Sequence, residues 1–552
     1  MVRRPPRNRP TQAARRGPLL ACCAVPAVLA LLLASACEGD DPPISPSPAA
    51  TVSSVPTVTV ESPTPAACPE DLTEGSADTV IFGAQPRDFL ADRFSLASGD
   101  FNDDGFADVL VGAPLADGPA NDRTDAGEAY VIFGGPSLRP LIDLAEGSAA
   151  VTLFGKAAND NFGFTVASGD VNGDGIDDVL VGARFVTEDD RTNVGAAYAV
   201  YGRADLGGTI DVAREQQDLT VVGEDAGDFL SIALAAGDVN GDGSDDLILG
   251  ASAADGPDGQ RPDAGLVAVV LGSPDIAGRI DLGLTPPHYS VHGARAGDTL
   301  PNTVATGDMD VDGREELLLG APRTDLGDPA RPMPGAAYIV DVPDVAGGLD
   351  LASPEGYIRI DGADTRDGFG FFVAAGDVNG DGIDDAVIGA RDADGNDNQR
   401  NNAGEVHVLF GSPDLPSAVD LAAASLDVTV YGADPTDSLG FTVATGDLDG
   451  SGVDDILTGA PVSDSCDNTR VDGGEVYAIA GGPELRGVLD LAEGGFRRLL
   501  LGAEAGDELG FSLVAGDIDG DGRDDIIAGA LLADGPDNAR EDTGQAHIIL
   551  SR

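Results

Sequence analysis

One nine-residue pattern, D-x-[DN]-x-[DS]-G-x-x-[DE], begins at Asp100, Asp170, Asp238, Asp308, Asp377, Asp447 and Asp517, with successive starts 68 to 70 residues apart. Its oxygens are spaced for a hard cation. Oxygens at positions 1, 3 and 5, the backbone carbonyl at 7 and a carboxylate at 9 can wrap one ion, and glycine at 6 allows the sharp turn. The first three sets are Asp100, Asn102, Asp104, Phe106 and Asp108; Asp170, Asn172, Asp174, Ile176 and Asp178; and Asp238, Asn240, Asp242, Ser244 and Asp246. The fourth and fifth are Asp308, Asp310, Asp312, Arg314 and Glu316, then Asp377, Asn379, Asp381, Ile383 and Asp385. The last two are Asp447, Asp449, Ser451, Val453 and Asp455, then Asp517, Asp519, Asp521, Arg523 and Asp525. An EF-hand needs a bidentate glutamate at position 12. Here that position is Val111, Val181, Leu249, Leu319, Ile388, Thr458 or Ala528, which excludes the class.

Without metal each loop crowds three or four carboxylates. Two unit charges about 4 Å apart repel by roughly 4 kcal/mol at an effective dielectric of about 20, so each loop is expected to order when a divalent ion arrives, up to seven ions in all. Calcium suits an all-oxygen protein cage better than magnesium, and extracellular modules of this kind bind it with Kd of about 10⁻⁴ to 10⁻³ M. The alternative is a set of Asp/Asn/Gly-rich turns holding no ion. The sixth loop is the weakest candidate, with Ser451 at position 5; the fourth is atypical, with Glu316 at position 9 and Val311 inside it.

Each loop is held between recurring apolar runs. FTVASG (164–169) or FTVATG (441–446) precedes it, and VLVGA (109–113), LILGA (247–251) or IIAGA (526–530) follows. After a polar stretch come GEAYVIFG (127–134) or GEVHVLFG (404–411), an IDLA-like phrase, and a short run such as VTLFG (151–155) or VTVYG (428–432). β-Branched runs of this length bounded by Gly, Asp and Pro are strands. Four strands per unit, here A, B, C and D, repeated seven times predict an all-β, seven-bladed β-propeller. A linear β-solenoid is the other architecture considered, but its repeats are much shorter. A D-type strand, TVIFG (79–83), precedes the first A strand, and the chain ends just after the seventh C strand, HIIL (547–550). The N-terminal strand is therefore expected to complete blade seven and close the ring.

Phe162-Gly163, Phe369-Gly370, Gly440-Phe441 and Gly510-Phe511, with Gly112-Ala113-Pro114, Gly320-Ala321-Pro322 and Gly459-Ala460-Pro461 after the loops, resemble FG-GAP repeats. Similar repeats form the seven-bladed propeller of integrin alpha subunits and occur in bacterial surface proteins, and the resemblance covers residues 72–552. Two departures stand out. Blades three and four lack the FG pair (Phe229-Leu230, Thr299-Leu300-Pro301), and Ala-Arg, Ala-Ser or Ala-Leu replaces Ala-Pro in blades two, three, five and seven. Propellers built on tryptophan motifs fit worse, because the chain has no tryptophan.

Two further recurrences lie away from the acidic loops. An arginine stands four residues before the glycine that opens each C strand: Arg123, Arg191, Arg261, Arg331, Arg400, Arg470 and Arg540. In six blades an aspartate stands earlier in the same B–C loop (Asp117, Asp255, Asp325, Asp394, Asp464, Asp534), and blade two has Thr187. A within-loop Arg–Asp pair is the expectation, and a ring of guanidinium groups for an anionic ligand is the alternative. Asp88, Asp160, Asp228, Asp298, Asp367, Asp437 and Asp507 recur in the D–A turns, where aspartate suits turn chemistry. The D–A and B–C loops share one face and the acidic A–B loops the other. The integrin resemblance implies that the D–A/B–C face recruits ligand.

The 552 residues carry 95 acids against 32 basic residues, a formal charge of −63 that argues against nucleic acid and anionic membrane as partners. Residues 1–36 join six arginines to an apolar stretch and read as an export signal. Leu33-Ala34-Ser35-Ala36-Cys37 resembles a bacterial lipobox, with Ala34 where leucine is usual; it implies lipidation at Cys37, the alternatives being ordinary cleavage with secretion or an uncleaved anchor. Cleavage would take those arginines and no acid, carrying the charge to −69. Residues 37–70 then form a Pro/Ser/Thr-rich tether before a propeller at 71–552. Cys68 and Cys466 are the two remaining cysteines; they are expected to pair and pin the ring closure, or else to stand as free surface thiols.

No G-x-S-x-G, H-E-x-x-H or isolated phosphate loop occurs. His407 and His547 occupy C-strand positions held by Tyr130, Tyr198, Tyr338 and Tyr477 elsewhere and read as packing residues; His288 and His292 flank a D strand without a companion cysteine. The expected function is therefore a non-enzymatic, extracellular, membrane-anchored, calcium-binding propeller that binds a protein or glycan in an adhesion-like role. The alternatives are a secreted glycan hydrolase or lyase working at the propeller channel, or a structural scaffold.

Overall fold

A computed structural model describes Leu72 and residues 77–552 apart from 258, 344 and 466–469. Cys37, Cys68 and Cys466, and with them the export signal, the lipid anchor, the tether and the disulfide expectation, lie outside the described residues. Seven sheets, each with four antiparallel strands, correspond to the seven repeats. In blade two, strand A (Phe162–Gly169) pairs with B (Asp178–Ala183), B with C (Ala196–Val200), and C with D (Leu219–Val222). Among the described residues the helices are three-residue 3₁₀ turns, and none is long and apolar enough to cross a membrane.

The blades differ from the sequence expectation in one respect. Six of the seven sheets have five strands, and blade six shows four. The fifth is the IDLA-like phrase, which pairs in parallel with the D strand of the preceding blade: Gly278–Asp281 lies against Leu219–Val222 and Gly208–Asp211 against Val151–Phe154. The phrase encodes a short strand, an aspartate cap and one helical turn. Asp143, Asp211 and Asp490 each accept a hydrogen bond from the backbone N–H two residues on, the usual service of an N-cap.

Closure follows the sequence expectation and goes further. Thr79–Phe82 pairs antiparallel with Gln545–Ile549 of blade seven, in the register Thr79↔Ile548 to Phe82↔Gln545, with Ile81 fully buried. Leu72 donates its backbone N–H to the Leu501 carbonyl on the D strand of blade six at 2.9 Å and buries its side chain in the core between blades six and seven. It stands where Leu144, Val212, Leu282 and Leu491 stand in other repeats. The N-terminal segment thus docks on two blades.

Neighbouring blades cover both faces of each sheet, so all six residues of every B strand are buried. That accounts for continuous apolar runs where a half-exposed strand would alternate. The glycine near the end of these runs marks a close approach between blades. A Cβ on Gly112 would lie 2.1 Å from the Gly163 carbonyl oxygen; on Gly320, Gly389 and Gly459 it would lie 2.2 to 2.3 Å from the carbonyls of Gly370, Gly440 and Gly510. The two halves of the repeated motif are therefore two sides of one contact. Gly163 also has φ +83°, a conformation that side chains disfavour. Where the FG pair is missing, Ser231 and Pro301 fill the place opposite Gly182 and Gly250.

Replacing Gly112 by alanine is expected to cost about 1–3 kcal/mol, because the backbones of blades one and two must separate. Gly207→Ala, whose added methyl meets nothing closer than 3.8 Å, should stay within about 0.5 kcal/mol. Urea unfolding of the two variants beside the parent checks the contrast.

Candidate metal centres and the opposite rim

The acidic loops join strands A and B on one face of the ring. In each, position 9 opens strand B and is buried: Asp108, Asp178, Asp246, Asp385 and Asp525 at 0%, Glu316 at 2% and Asp455 at 3% exposure. Burial pushes the first five up to about 7 and Glu316 to about 8. Position 1 organises the turn. Asp100 accepts from the backbone N–H groups of Asp104 and Gly105 at 3.1 and 2.8 Å, and Asp170 does the same for Asp174 and Gly175. At position 3, Asn102, Asn172, Asn240 and Asn379 donate their amides to the position-9 carboxylate at 3.0 to 3.3 Å. Turning such an amide over presents its oxygen to the same point. The N–H groups of Phe106, Ile176, Ser244, Arg314, Ile383 and Arg523 at position 7 bond to the position-5 carboxylates.

Two loops bring carboxylates together without rearrangement. Asp308, Asp310, Asp312 and Glu316 each offer an oxygen within 4.8 Å of the others, as do Asp517, Asp519 and Asp525. The fourth loop, atypical in sequence, is the most convergent of the seven. Asp521 at position 5 of the seventh loop stands outside that group. A set of buried, mutually repelling carboxylates with oxygen donors converging on one point fits a divalent cation.

Blade six departs from this pattern. Ser451 removes the position-5 carboxylate, and the Arg497 guanidinium reaches Asp449 at 2.9 Å and Asp455 at 3.1 Å. A side-chain cation bridges positions 3 and 9. The sequence shows the serine but not the arginine, which comes from a point 42 residues beyond Asp455.

Sequence reasoning also missed the coupling between loops. The residue before position 9 reaches the preceding blade: Asp177, Asp245, Asp384 and Asp524 accept from the N–H groups of Asp100, Asp170, Asp308 and Asp447 at 2.8 to 3.0 Å. Position-7 side chains pack on position-4 glycines in the same sense, Arg314 on Gly241, Val453 on Gly380 and Phe106 on Gly520. The seven loops touch in a ring.

On the other rim, the expected within-loop Arg–Asp pair is replaced by a different one. Arg123 pairs with Asp211 at 2.7 Å, Arg191 with Asp281 at 2.6 Å, Arg261 with Asp350 at 2.7 Å and Arg540 with Asp143 at 2.8 Å; Arg331 and Arg400 pair with Asp420 and Asp490. Those aspartates end the fifth strands, so each arginine clamps the next repeat's linking phrase onto its own blade. It also donates to the carbonyl that ends the D strand, as Arg123 does to Gly155 and Arg470 to Gly502. The loop aspartates serve the backbone: Asp117, Asp394, Asp464 and Asp534 each accept from the N–H eight residues on.

The D–A aspartates do the expected turn work, Asp88, Asp160, Asp298, Asp367 and Asp507 each accepting from the N–H three residues earlier. Burial raises Asp88, Asp228 and Asp367 to about 7 and Asp437 to about 8, and in three blades the glutamate opening strand C (Glu128, Glu405 or Glu475) adds to the shift. The histidines of strand C are packing residues as expected: His407 lies edge-on to Phe369 and His547 is buried. Folded-state values above the roughly 3.9 of an unfolded aspartate mean that these carboxyls favour folding most when protonated. Their contribution is complete below about pH 4 and is lost as pH climbs through about 7 to 8. Metal-free protein should therefore melt higher at pH 5.5 than at pH 8.5, and thermal denaturation in chelator reads the difference.

The FG-GAP repeat family matches residues 94–132, 162–200, 232–270, 369–409 and 509–549, each running from the start of strand A through strand C. Human phosphatidylinositol-glycan-specific phospholipase D is 30% identical over 230 residues, 42% of this chain and 26% of that protein. Integrin alpha-PS2 of Drosophila melanogaster is 28% identical over 291 residues, 48% of this chain and 18% of the relative, and integrin alpha-5 of Xenopus laevis 29% over 235 residues, 41% and 19%. The chain thus spans about a quarter of the phospholipase and under a fifth of these integrins. With five matched repeats inside a ring of seven blades, the chain is an FG-GAP repeat protein, an integrin-alpha-like β-propeller.

Proposed function

We propose that the protein is an extracellular, lipid-anchored propeller that calcium stiffens on one face and that binds a protein or glycan on the other, in an adhesion-like role. The observation that carries this reading is the ring of seven acidic loops confined to the A–B face. It supplies rigidity from below and leaves the longer D–A and B–C loops free to vary. The relationship to integrin alpha subunits supports the adhesion-like part, and the lipobox-like sequence at Cys37 the anchor. An enzymatic role keeps one argument, the phospholipase among the relatives; turnover of a glycan panel separates it from binding.

Calcium would be held by positions 1, 3, 5, 7 and 9 in blades one to five and seven. In blade six the Arg497 guanidinium already supplies positive charge, so six ions are expected where sequence alone suggests seven. Calorimetric titration of chelator-treated protein should give six sites, each adding about 1.4 kcal/mol of stability at a tenfold excess over Kd. Ser451→Asp combined with Arg497→Ala should raise the count to seven. An unmoved melting temperature after exhaustive EGTA dialysis, with no heat on calcium addition, overturns the reading. Pull-downs with and without chelator then distinguish a calcium-dependent binder from a scaffold.

A further inference from the structure

In a chain of formal charge −63, four arginines gather at one mouth of the central channel. Arg93 precedes strand A of blade one (Leu96–Gly99), Arg184 and Arg391 follow strands B of blades two and five (Asp178–Ala183, Asp385–Ala390), and Arg323 follows that of blade four (Glu316–Ala321). All four therefore sit on the D–A/B–C face. They lie on phenylalanine rings. Arg93 is 4.2 Å from the Phe94 centroid and 5.1 Å from Phe371, Arg391 is 3.9 Å from Phe371, and Arg184 is 3.6 Å from Phe164. Phe371 thus carries two guanidinium groups.

Stacking fixes the planes of these cations and leaves their edges to hydrogen-bond elsewhere. Among the described residues, no hydrogen bond or ion pair to the Arg93 guanidinium is found, and the buried Nε of Arg184 has no partner. A cavity of about 150 Å³ adjoins Arg93 and Phe94; Thr165, Thr303 and Ser512 of the surrounding A strands line it among leucine, valine, alanine and phenylalanine side chains, and Arg184 and Arg391 lie outside its lining. Among the described residues, Asp92 acts on Arg93 and Asp392 is 3.4 Å from Arg391; Glu508, which burial raises to about 7, lies near Asp92. Burial also lowers Arg93 to about 10; Asp92 opposes that shift, while Arg391, Arg184 and Arg323 add to it. The far end of the channel has the opposite sign. Asp177, Asp245, Glu315, Asp384, Asp454 and Asp524 stand one residue before the B strands, roughly 17 Å away at the rise of a six-residue strand.

We propose that this mouth is an anion-binding site that takes a compact oxyanion group, a sulfate, phosphate or carboxylate, between the stacked guanidinium groups of Arg93, Arg184 and Arg391. The cavity has room for a compact group beside Arg93, and the acidic ring beyond stops an anion at the arginine level. The inference deepens the binding role proposed above by naming an acidic determinant on the partner. Its test uses free ions and does not depend on that role.

Melting temperature is measured at pH 7.5 and constant ionic strength as chloride is exchanged for sulfate, and separately for acetate. A saturable rise with sulfate is expected, with acetate showing whether a carboxylate serves as well. In Arg93→Met, which keeps an apolar stem over Phe94, half-saturation should weaken at least tenfold. The same variant should melt higher than the parent in chloride, because removing one of several like charges relieves repulsion. Arg391→Met should reproduce both effects. An equal sulfate response in parent and variants, a linear unsaturable rise, or a lowered chloride melting temperature in both variants (arginines acting only as packing) would each overturn the proposal.

Discussion

Everything in this ring depends on how closely one blade can approach the next. At four of the seven junctions the penultimate glycine of a B strand and the motif glycine of the following blade meet where no side chain fits, at 2.1 to 2.3 Å from a hypothetical Cβ. That approach buries both faces of every B strand and sets the pitch of the circle. The sites follow from it, because a sheet packed this tightly carries its A–B loop and its D–A turn to fixed places relative to both neighbours.

Charge is distributed around that frame in layers. The A–B face collects carboxylates that burial holds near neutral pH, and links them blade to blade through the residue before position 9. The opposite rim uses its arginines as clamps between successive repeats. Blade six exchanges one device for another: Arg497 supplies in covalent form the positive charge that its sister loops lack. A seven-membered ring can then tolerate one loop of different chemistry without losing the contacts that join it to the others.

Much of this was legible from spacing. Seven acidic patterns at near-constant intervals give the blade count, and the early D-type strand gives the closure. The fifth strand was not legible, because a three- or four-residue phrase ending in a capping aspartate reads as a linker until the edge it pairs with is known. The arginine clamps were visible as a recurrence, but their partners lie 88 to 90 residues away in blades one to five and, for Arg540, back in the first repeat at Asp143, beyond any local pattern. Arg184 and Arg391 appeared only as departures from Gly-Ala-Pro; the meaning of those departures comes from the channel on which they converge.

The join between Thr79–Phe82 and Gln545–Ile549 spans nearly the whole propeller. A nascent chain can stack its first six blades as they emerge, but until the last residues are made the closing strand has only its parallel partner Leu141–Asp143 and keeps its other edge open. During that interval the open edge is a ready template for the terminal strand of a second molecule, and the exchange would yield a swapped dimer with the same pairings. Leu72, hydrogen-bonded to the D strand of blade six, would hold the loose end near its own chain and so favour the closed monomer.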